Sequence, residues 1–255
     1  MIGPALFALA LVASWGNSAT HVVLSDRPLY AFTTNVMTMP IRTQRLAWAG
    51  VASVGFLAAL WLWAASGWPR LGAAAVIAAL LAIRQVETRQ WPGQMVVRLG
   101  KYVPAASCLT GWLIVVTLTR TLGWDEPRSV AAGWEAAAGV MAALYPLAAL
   151  SKLKLTGWRW MRAEHHALMI AERAYTGPKW VRRARSAGSR SWAVCAFVGT
   201  FGLLSEFACA AYIFPDARIA VTATVLALHA GIGLFLGYFE PEWLLVMIAI
   251  AAITT

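Results

Sequence analysis

The sequence predicts an all-α integral membrane protein, a polytopic bundle of about six to eight transmembrane helices with one basic amphipathic interfacial segment. Three observations point to this class. The mean hydropathy is +0.64, 60% of the 255 residues are hydrophobic, and 13% are charged, about half the share found in soluble domains. We therefore expect residues 1–255 to form a single integral membrane domain. Disordered, collagen-like, disulfide-stapled and ordinary soluble-enzyme classes are excluded.

Apolar stretches separated by charged or proline-containing turns predict the individual helices. They cover residues 2–16, 46–68, 71–83, 103–123, 129–151, 191–213 and 218–239, and a short eighth covers 244–253. A membrane span needs about 20 apolar residues. Stretch 71–83 is therefore a half-span, or it extends through Arg84 with that side chain snorkelling outward. No Lys or Arg precedes the first stretch, which favours a short uncleaved span or an interfacial helix over a signal peptide.

The distribution of Lys and Arg predicts the orientation in the membrane. If every stretch crosses, seventeen basic residues fall on the side that holds 152–190 and three on the other side, with Arg120 inside a span. Cytoplasmic loops are enriched in basic residues. We therefore expect 152–190 to be cytoplasmic. The expected location is a bacterial inner membrane.

Segment 152–190 is the one long connection, with ten basic and two acidic residues. Its first half places Trp158, Met161, His165, Leu168 and Met169 at three- and four-residue spacing, which predicts an amphipathic interfacial helix. Its second half is polybasic. Anchoring to anionic lipid is the favoured role, and docking of a partner or substrate is the alternative. The candidate lipid- or partner-binding residues are Arg159, Arg162, Lys179, Arg182, Arg183 and Arg185.

Ionisable side chains inside spans are costly, so each is a candidate site or half of an ion pair. Arg120 and Glu135 lie at similar depth on helices joined by a tight turn, which predicts a structural Arg120–Glu135 pair. Glu206 and His229 lie near mid-membrane on neighbouring antiparallel stretches. A histidine hydrogen-bonded to a carboxylate there could relay protons or orient a quinone carbonyl. The alternative is a buried histidine that bridges two helices.

No motif indicates a metal or a tightly bound redox cofactor. The three cysteines, Cys108, Cys195 and Cys209, lie in apolar stretches without a CxxC pair, and are interpreted as packing residues. His165 and His166 are adjacent and so lie on different faces of a helix. No haem, Fe–S or zinc motif is present. The net charge of +10 is assigned to lipid-facing loops, and nucleic acid is not an expected partner.

Three pieces of the C-terminal half together resemble the HTTM family, the membrane domain related to vitamin K-dependent γ-carboxylase and to maturation proteins of sporulation-delaying peptide toxins. The pieces are Tyr145 to Trp158 with Ser151-Lys152-Leu153, then Leu204-Ser205-Glu206, and then Leu228 to Phe239 with His229 and Ile232. The similarity covers about residues 145–255. It implies that Lys152 is an amine base, as in the carboxylases, and that His229 is a membrane-embedded polar partner.

The alternative role for Lys152 is to anchor the end of its helix on the cytoplasmic side of the membrane, because it is the first residue of the basic segment. A desolvated lysine at a span end would have its neutral form favoured, as an amine base requires. The leading hypothesis is a membrane enzyme or maturation factor that acts on a quinone, lipid or hydrophobic peptide, with Lys152, Glu206 and His229 as catalytic site groups. The second is a non-catalytic accessory subunit held beside other membrane subunits of a redox or transport complex. A transporter is disfavoured because no inverted repeat is visible.

Overall fold

A computed structural model describes residues 2–24, 41–65, 68–89, 104–237 and 241–254. Within these ranges the chain is all-helical and contains no strand. The loop cations between 25 and 40 and between 90 and 103, and the side chain of Arg84, lie outside the described residues. The α-helices are α1 (Ile2–Leu24), α2 (Ile41–Ala65), α3 (Pro69–Arg89), α4 (Pro104–Thr121), α5 (Glu126–Thr156), α6 (Ala163–Glu172), α7 (Lys179–Arg190), α8 (Trp192–Ala208), α9 (Arg218–Gly231) and α10 (Pro241–Thr254).

Five helical segments of the described chain are long and apolar enough to cross a membrane. They are Ile2–Thr20, Leu46–Ala65, Glu126–Met161, Trp192–Ile213 and Pro215–Leu236. Pro69–Ile83 and Pro241–Thr254 are shorter apolar helices. Large apolar side chains of α2, among them Val51, Val54 and Leu57, face outward, as suits a hydrocarbon surrounding. The fold class predicted from the sequence, an all-helical membrane protein, is confirmed at this level.

Helix α10 forms the centre of the bundle. It packs against α1, α4, α5 and α9, and Val246, Met247, Ala249 and Ile250 have no exposed surface. A helix that is apolar on all sides is typical of a fully enclosed position. Its 14 residues span about 21 Å, less than the roughly 30 Å hydrocarbon thickness. This last stretch therefore serves as a core element.

Helix α5 positions most of the candidate site. It has 31 residues with Pro146 in its interior. One face carries buried residues at spacings of three and four, which is the signature of a helix with one stripe against its neighbours; the stripe is Trp134, Ala138, Met141, Tyr145 and Ala149. Lys152 follows Ala149 by three residues and continues the same stripe.

The segment after α5 differs from the sequence expectation. Helix α5 continues to Thr156, a 3₁₀ helix covers Gly157–Met161, and α6 and α7 follow. Because Arg162 is extended, the helical register does not carry over from Trp158 into α6. Trp158 and Leu168, two members of the predicted stripe, are 72% and 71% exposed. The buried residues of α6 are Ala163, His166 and Ile170, so Leu168 lies on the outward-facing side of this helix.

Candidate functional site

An ion pair between Lys152 and Glu206 joins α5 to α8. The Lys152 Nζ donates a hydrogen bond to Glu206 Oε1. The side chains are 23% and 7% exposed, and both lie in segments long and apolar enough to span a membrane. The sequence argument for a neutral amine base did not include this partner.

A second polar contact joins α5 to α9. Tyr145 Oη lies 3.0 Å from His229 Nε2, and the two rings meet edge to face. Both residues are buried. Trp243 of α10 closes one side of Tyr145, with ring centroids 4.9 Å apart. The other ring nitrogen of His229, Nδ1, has no hydrogen-bond partner among the described residues.

The two contacts are stacked along one face of α5. Tyr145 and Lys152 are seven residues apart, which is two helical turns or about 10 Å along the axis. The sequence places Glu206 and His229 at a similar depth, and a hydrogen bond between them is one of the two interpretations that it leaves open. No hydrogen bond joins them in the described structure, because each is engaged by a different α5 side chain, Lys152 or Tyr145. The three predicted catalytic residues are thus organised by α5.

Glu135 pairs with Arg218, and the predicted Arg120–Glu135 pair does not form. Arg218 donates to both oxygens of Glu135, at 3.1 and 2.5 Å, and to the backbone oxygens of Tyr212 and Ile213. Arg120 donates instead to the Trp124 carbonyl, at 2.7 Å. The similar depth of Arg120 and Glu135 in the membrane was not enough to make them pair, because the turn after α4 gives Arg120 a nearer hydrogen-bond acceptor.

Arg218 is a buried charged residue that the sequence analysis does not single out, and Tyr145 is another site residue of this kind. Arg218 is one of the three cations assigned to the side opposite segment 152–190, yet it is fully buried, whereas Glu135 is half-exposed. Its guanidinium satisfies carbonyls at the end of the 3₁₀ helix Cys209–Ile213 as well as the carboxylate. The planar, five-donor group suits this multiple role. The available signal was its position at the start of a predicted span.

A histidine and tryptophan cluster lies beside Lys152. His166 Nε2 donates to the Trp160 carbonyl at 2.6 Å, and the His165 and His166 ring centroids are 5.3 Å apart. The Lys152 Nζ is 5.2 Å from the Trp160 ring centroid, a cation–π distance. Burial, with smaller contributions from His165 and Lys152, lowers the pKa of His166 from its ordinary value of 6.5. Within the described chain, no group of three His, Cys, Asp or Glu side chains is placed to hold a metal ion.

Arg185 departs from the expected lipid-facing role. It is buried, and its guanidinium donates to the backbone oxygens of Arg173, Thr176, Gly233 and Leu234. These carbonyls belong to the loop after α6 and to the π-helical turn Ile232–Leu236. Arg185 therefore joins α7 to the end of the α9 segment. The other candidates, Arg159, Arg162, Lys179, Arg182 and Arg183, are exposed.

No family model, no curated protein and no solved structure matches this chain.

Proposed function

We propose that this chain is an HTTM-like membrane protein that binds, or acts on, a hydrophobic molecule with a polar head, such as a quinone, a lipid or a hydrophobic peptide. The observation that carries the proposal is the stack of two polar contacts on one face of α5, Lys152–Glu206 and Tyr145–His229. Intramembrane ionisable groups are functional candidates because their burial is costly. Here four polar side chains from three helices are concentrated within about two helical turns.

The polar side chains of the α5 stack could form hydrogen bonds with the head group of such a molecule. The Lys152 ammonium donates to Glu206, and the head group of the ligand would exchange hydrogen bonds with this pair. His229 Nδ1 has no partner in the described chain and offers a second, deeper contact. Because Lys152 and Glu206 are bonded, a proton can pass between them without leaving the pair, which is the property required of an acid–base site in a low dielectric.

The proposal includes a topology. We place segment 152–190 on the cytoplasmic side of a bacterial inner membrane, because the loop cations are concentrated on that side. The five long segments and the helices α3 and α4 together give a number of passes within the expected six to eight, and α6 and α7 lie at the interface. Exposed Trp158, Leu168 and Trp180 on this segment favour an interfacial location. Labelling of single introduced cysteines from either side of the membrane tests this arrangement.

An accessory role is the second candidate, and one observation favours it. Lys152 is already neutralised by Glu206, and His229 is already bonded to Tyr145. Contacts satisfied within the protein suit helix packing in a subunit of a larger redox or transport complex. In that case the polar stack would hold the bundle together, and the protein would purify with other membrane subunits in mild detergent.

Retention of small hydrophobic molecules separates the two candidates. The protein is purified in native lipid particles, and the extracted molecules are quantified by mass spectrometry. The double variant Lys152→Met/Glu206→Leu removes both charges together, so no buried charge is left unpaired. The control Lys154→Met removes an exposed cation two residues away. Loss of one enriched species in the double variant alone supports a binding site. Equal profiles in wild type and both variants would refute it.

A further inference from the structure

An open groove lies between the C-terminal end of α6 and the exposed face of α7. It encloses about 430 Å³ and is lined by Ala174, Tyr175, Lys179, Arg182, Arg183 and Ser186. It is separate from the polar stack on α5. Its chemistry is that of an anion site, because three of the six lining side chains are cationic and two carry hydroxyl groups.

The three cations of the groove are uncompensated. Lys179, Arg182 and Arg183 are at positions i, i+3 and i+4 of α7, and so share one face of the helix. All three are exposed. None of them forms an ion pair with an acidic side chain in the part of the chain that the structure describes. Arg185 lies with Val181 and Gly188 on the buried side of α7 and is occupied by backbone carbonyls instead.

The groove also lies where lipid head groups are expected. Helix α7 ends at Arg190, and the candidate span Trp192–Ile213 begins two residues later. Ser186 is therefore about 9 Å along the chain from the start of the span. Trp180 and Trp192 are exposed on either side, and exposed tryptophan is typical of the membrane interface. Tyr175, which is 85% exposed, adds a hydroxyl donor at the rim.

We infer that this groove is a binding site for the phosphate of an anionic phospholipid head group, with Lys179, Arg182 and Arg183 as its charged ligands. Charge-assisted hydrogen bonds from Lys and Arg to phosphate oxygens are among the stronger polar contacts in proteins. Tyr175 and Ser186 donate to the remaining oxygens. The acyl chains continue along the apolar surface of α8. The inference goes beyond the proposed function, because it involves none of the residues of the α5 stack.

The test measures lipid enrichment around the reconstituted protein. Wild-type protein is placed in nanodiscs of phosphatidylcholine with about one-tenth phosphatidylglycerol, and retained lipids are counted by native mass spectrometry. The groove variant is Lys179→Gln/Arg182→Gln/Arg183→Gln. The matched control, Lys154→Gln/Arg173→Gln/Arg190→Gln, removes the same charge from exposed positions of the same segment that are neither in the groove lining nor among the candidate lipid-binding residues. We expect the groove variant to lose phosphatidylglycerol affinity about a hundredfold, roughly fivefold for each cation, and the control to retain it.

Three outcomes overturn the inference. Equal losses in both triple variants mean that only the general surface charge attracts lipid. Displacement of phosphatidylglycerol by millimolar inorganic phosphate assigns the groove to a soluble anion. Undiminished retention of phosphatidylglycerol in the groove variant means that the groove is not a lipid-binding site. A second variant, Tyr175→Phe/Ser186→Ala, keeps the charges, and we expect it to weaken retention severalfold. We expect phosphatidylglycerol retention at the groove to be the same in Lys152→Met/Glu206→Leu as in wild type, because neither residue lines the groove, so failure here and failure of the proposed function are distinguishable.

Discussion

Lys152 near the end of α5 and Glu206 of α8 form an ion pair between two segments that are long and apolar enough to span a membrane. The pair forms one level of a polar stack, and Tyr145 with His229 forms the other. Breaking a buried pair from one side is far more costly than removing both partners, because the remaining charge has no counter-ion. This asymmetry governs the first prediction.

Glu206→Gln should lower the free energy of unfolding by about 2 kcal/mol, a value reduced from the fully buried range because Lys152 is partly exposed. The exchanged pair Lys152→Glu/Glu206→Lys should recover most of this loss, since it restores opposite charges across the same interface. Thermal unfolding in a fixed detergent measures both variants. Equal stability of the single and exchanged variants would mean that the pair adds nothing to the bundle.

The buried Arg218 should be more important to stability than its half-exposed partner. Arg218→Met removes the donor for Glu135 and for the carbonyls of Tyr212 and Ile213. We expect a loss of about 3 kcal/mol. Glu135→Gln should cost about 1 kcal/mol, because the Glu135 side chain is 51% exposed. Arg120→Gln is the matched control and should be nearly neutral. An Arg120→Gln loss as large as that of Arg218→Met would contradict this order.

Gly199 is required by the close approach of α6 to α8. A Cβ at this position would lie 2.5 Å from the His166 ring and 3.0 Å from the Trp160 carbonyl oxygen. Gly199→Ala should therefore destabilise the protein by about 2 kcal/mol. Gly202→Ala, whose Cβ would meet only Leu228 at 3.8 Å, should not. His166→Ala in the Gly199→Ala background should recover part of the loss, which a double-mutant cycle measures.

Acid should destabilise the fold through His166. Its pKa is lowered by burial, the Trp160 carbonyl opposes this shift, and the neighbouring His165 and Lys152 add smaller lowering contributions. As the pH falls below about 6.5, the unfolded chain binds a proton at this position and the folded chain does not, so stability decreases by at most about 1.4 kcal/mol per pH unit. Above about pH 6.5 His166 does not make the free energy of unfolding depend on pH. His166→Gln should flatten the profile between pH 6.5 and 5; an unchanged slope would assign it to other groups.

The sequence was sufficient to predict the fold class and three of the four side chains of the polar stack, and insufficient to predict Tyr145 or which side chains pair. Lys152, Glu206 and His229 could be selected because charge is conspicuous in an apolar stretch. Spacing gives the depth of a residue in a helix, but it does not give the direction in which neighbouring helices face one another. Arg120 and Glu135 were matched in depth and are not bonded, whereas Glu135 and Arg218 are.

The same difficulty applies to the basic residues of segment 152–190, because the sequence does not show which of these side chains point into the protein. Arg182, Arg183 and Arg185 are equivalent by composition. One turn of α7 directs the first two to the surface and the third into the protein, where backbone carbonyls of two distant segments accept its hydrogen bonds. Those carbonyls are exposed by a loop and a π-helical turn that no residue pattern indicated.

A density map of the protein in native lipid particles tests the central claim most directly. The account predicts non-protein density against Lys152 Nζ and His229 Nδ1, with a polar head group at the α5 stack and an apolar tail toward the bilayer. A map in which side chains of this chain, or of a neighbouring subunit, fill that space completely would contradict the binding site and assign the stack to helix packing.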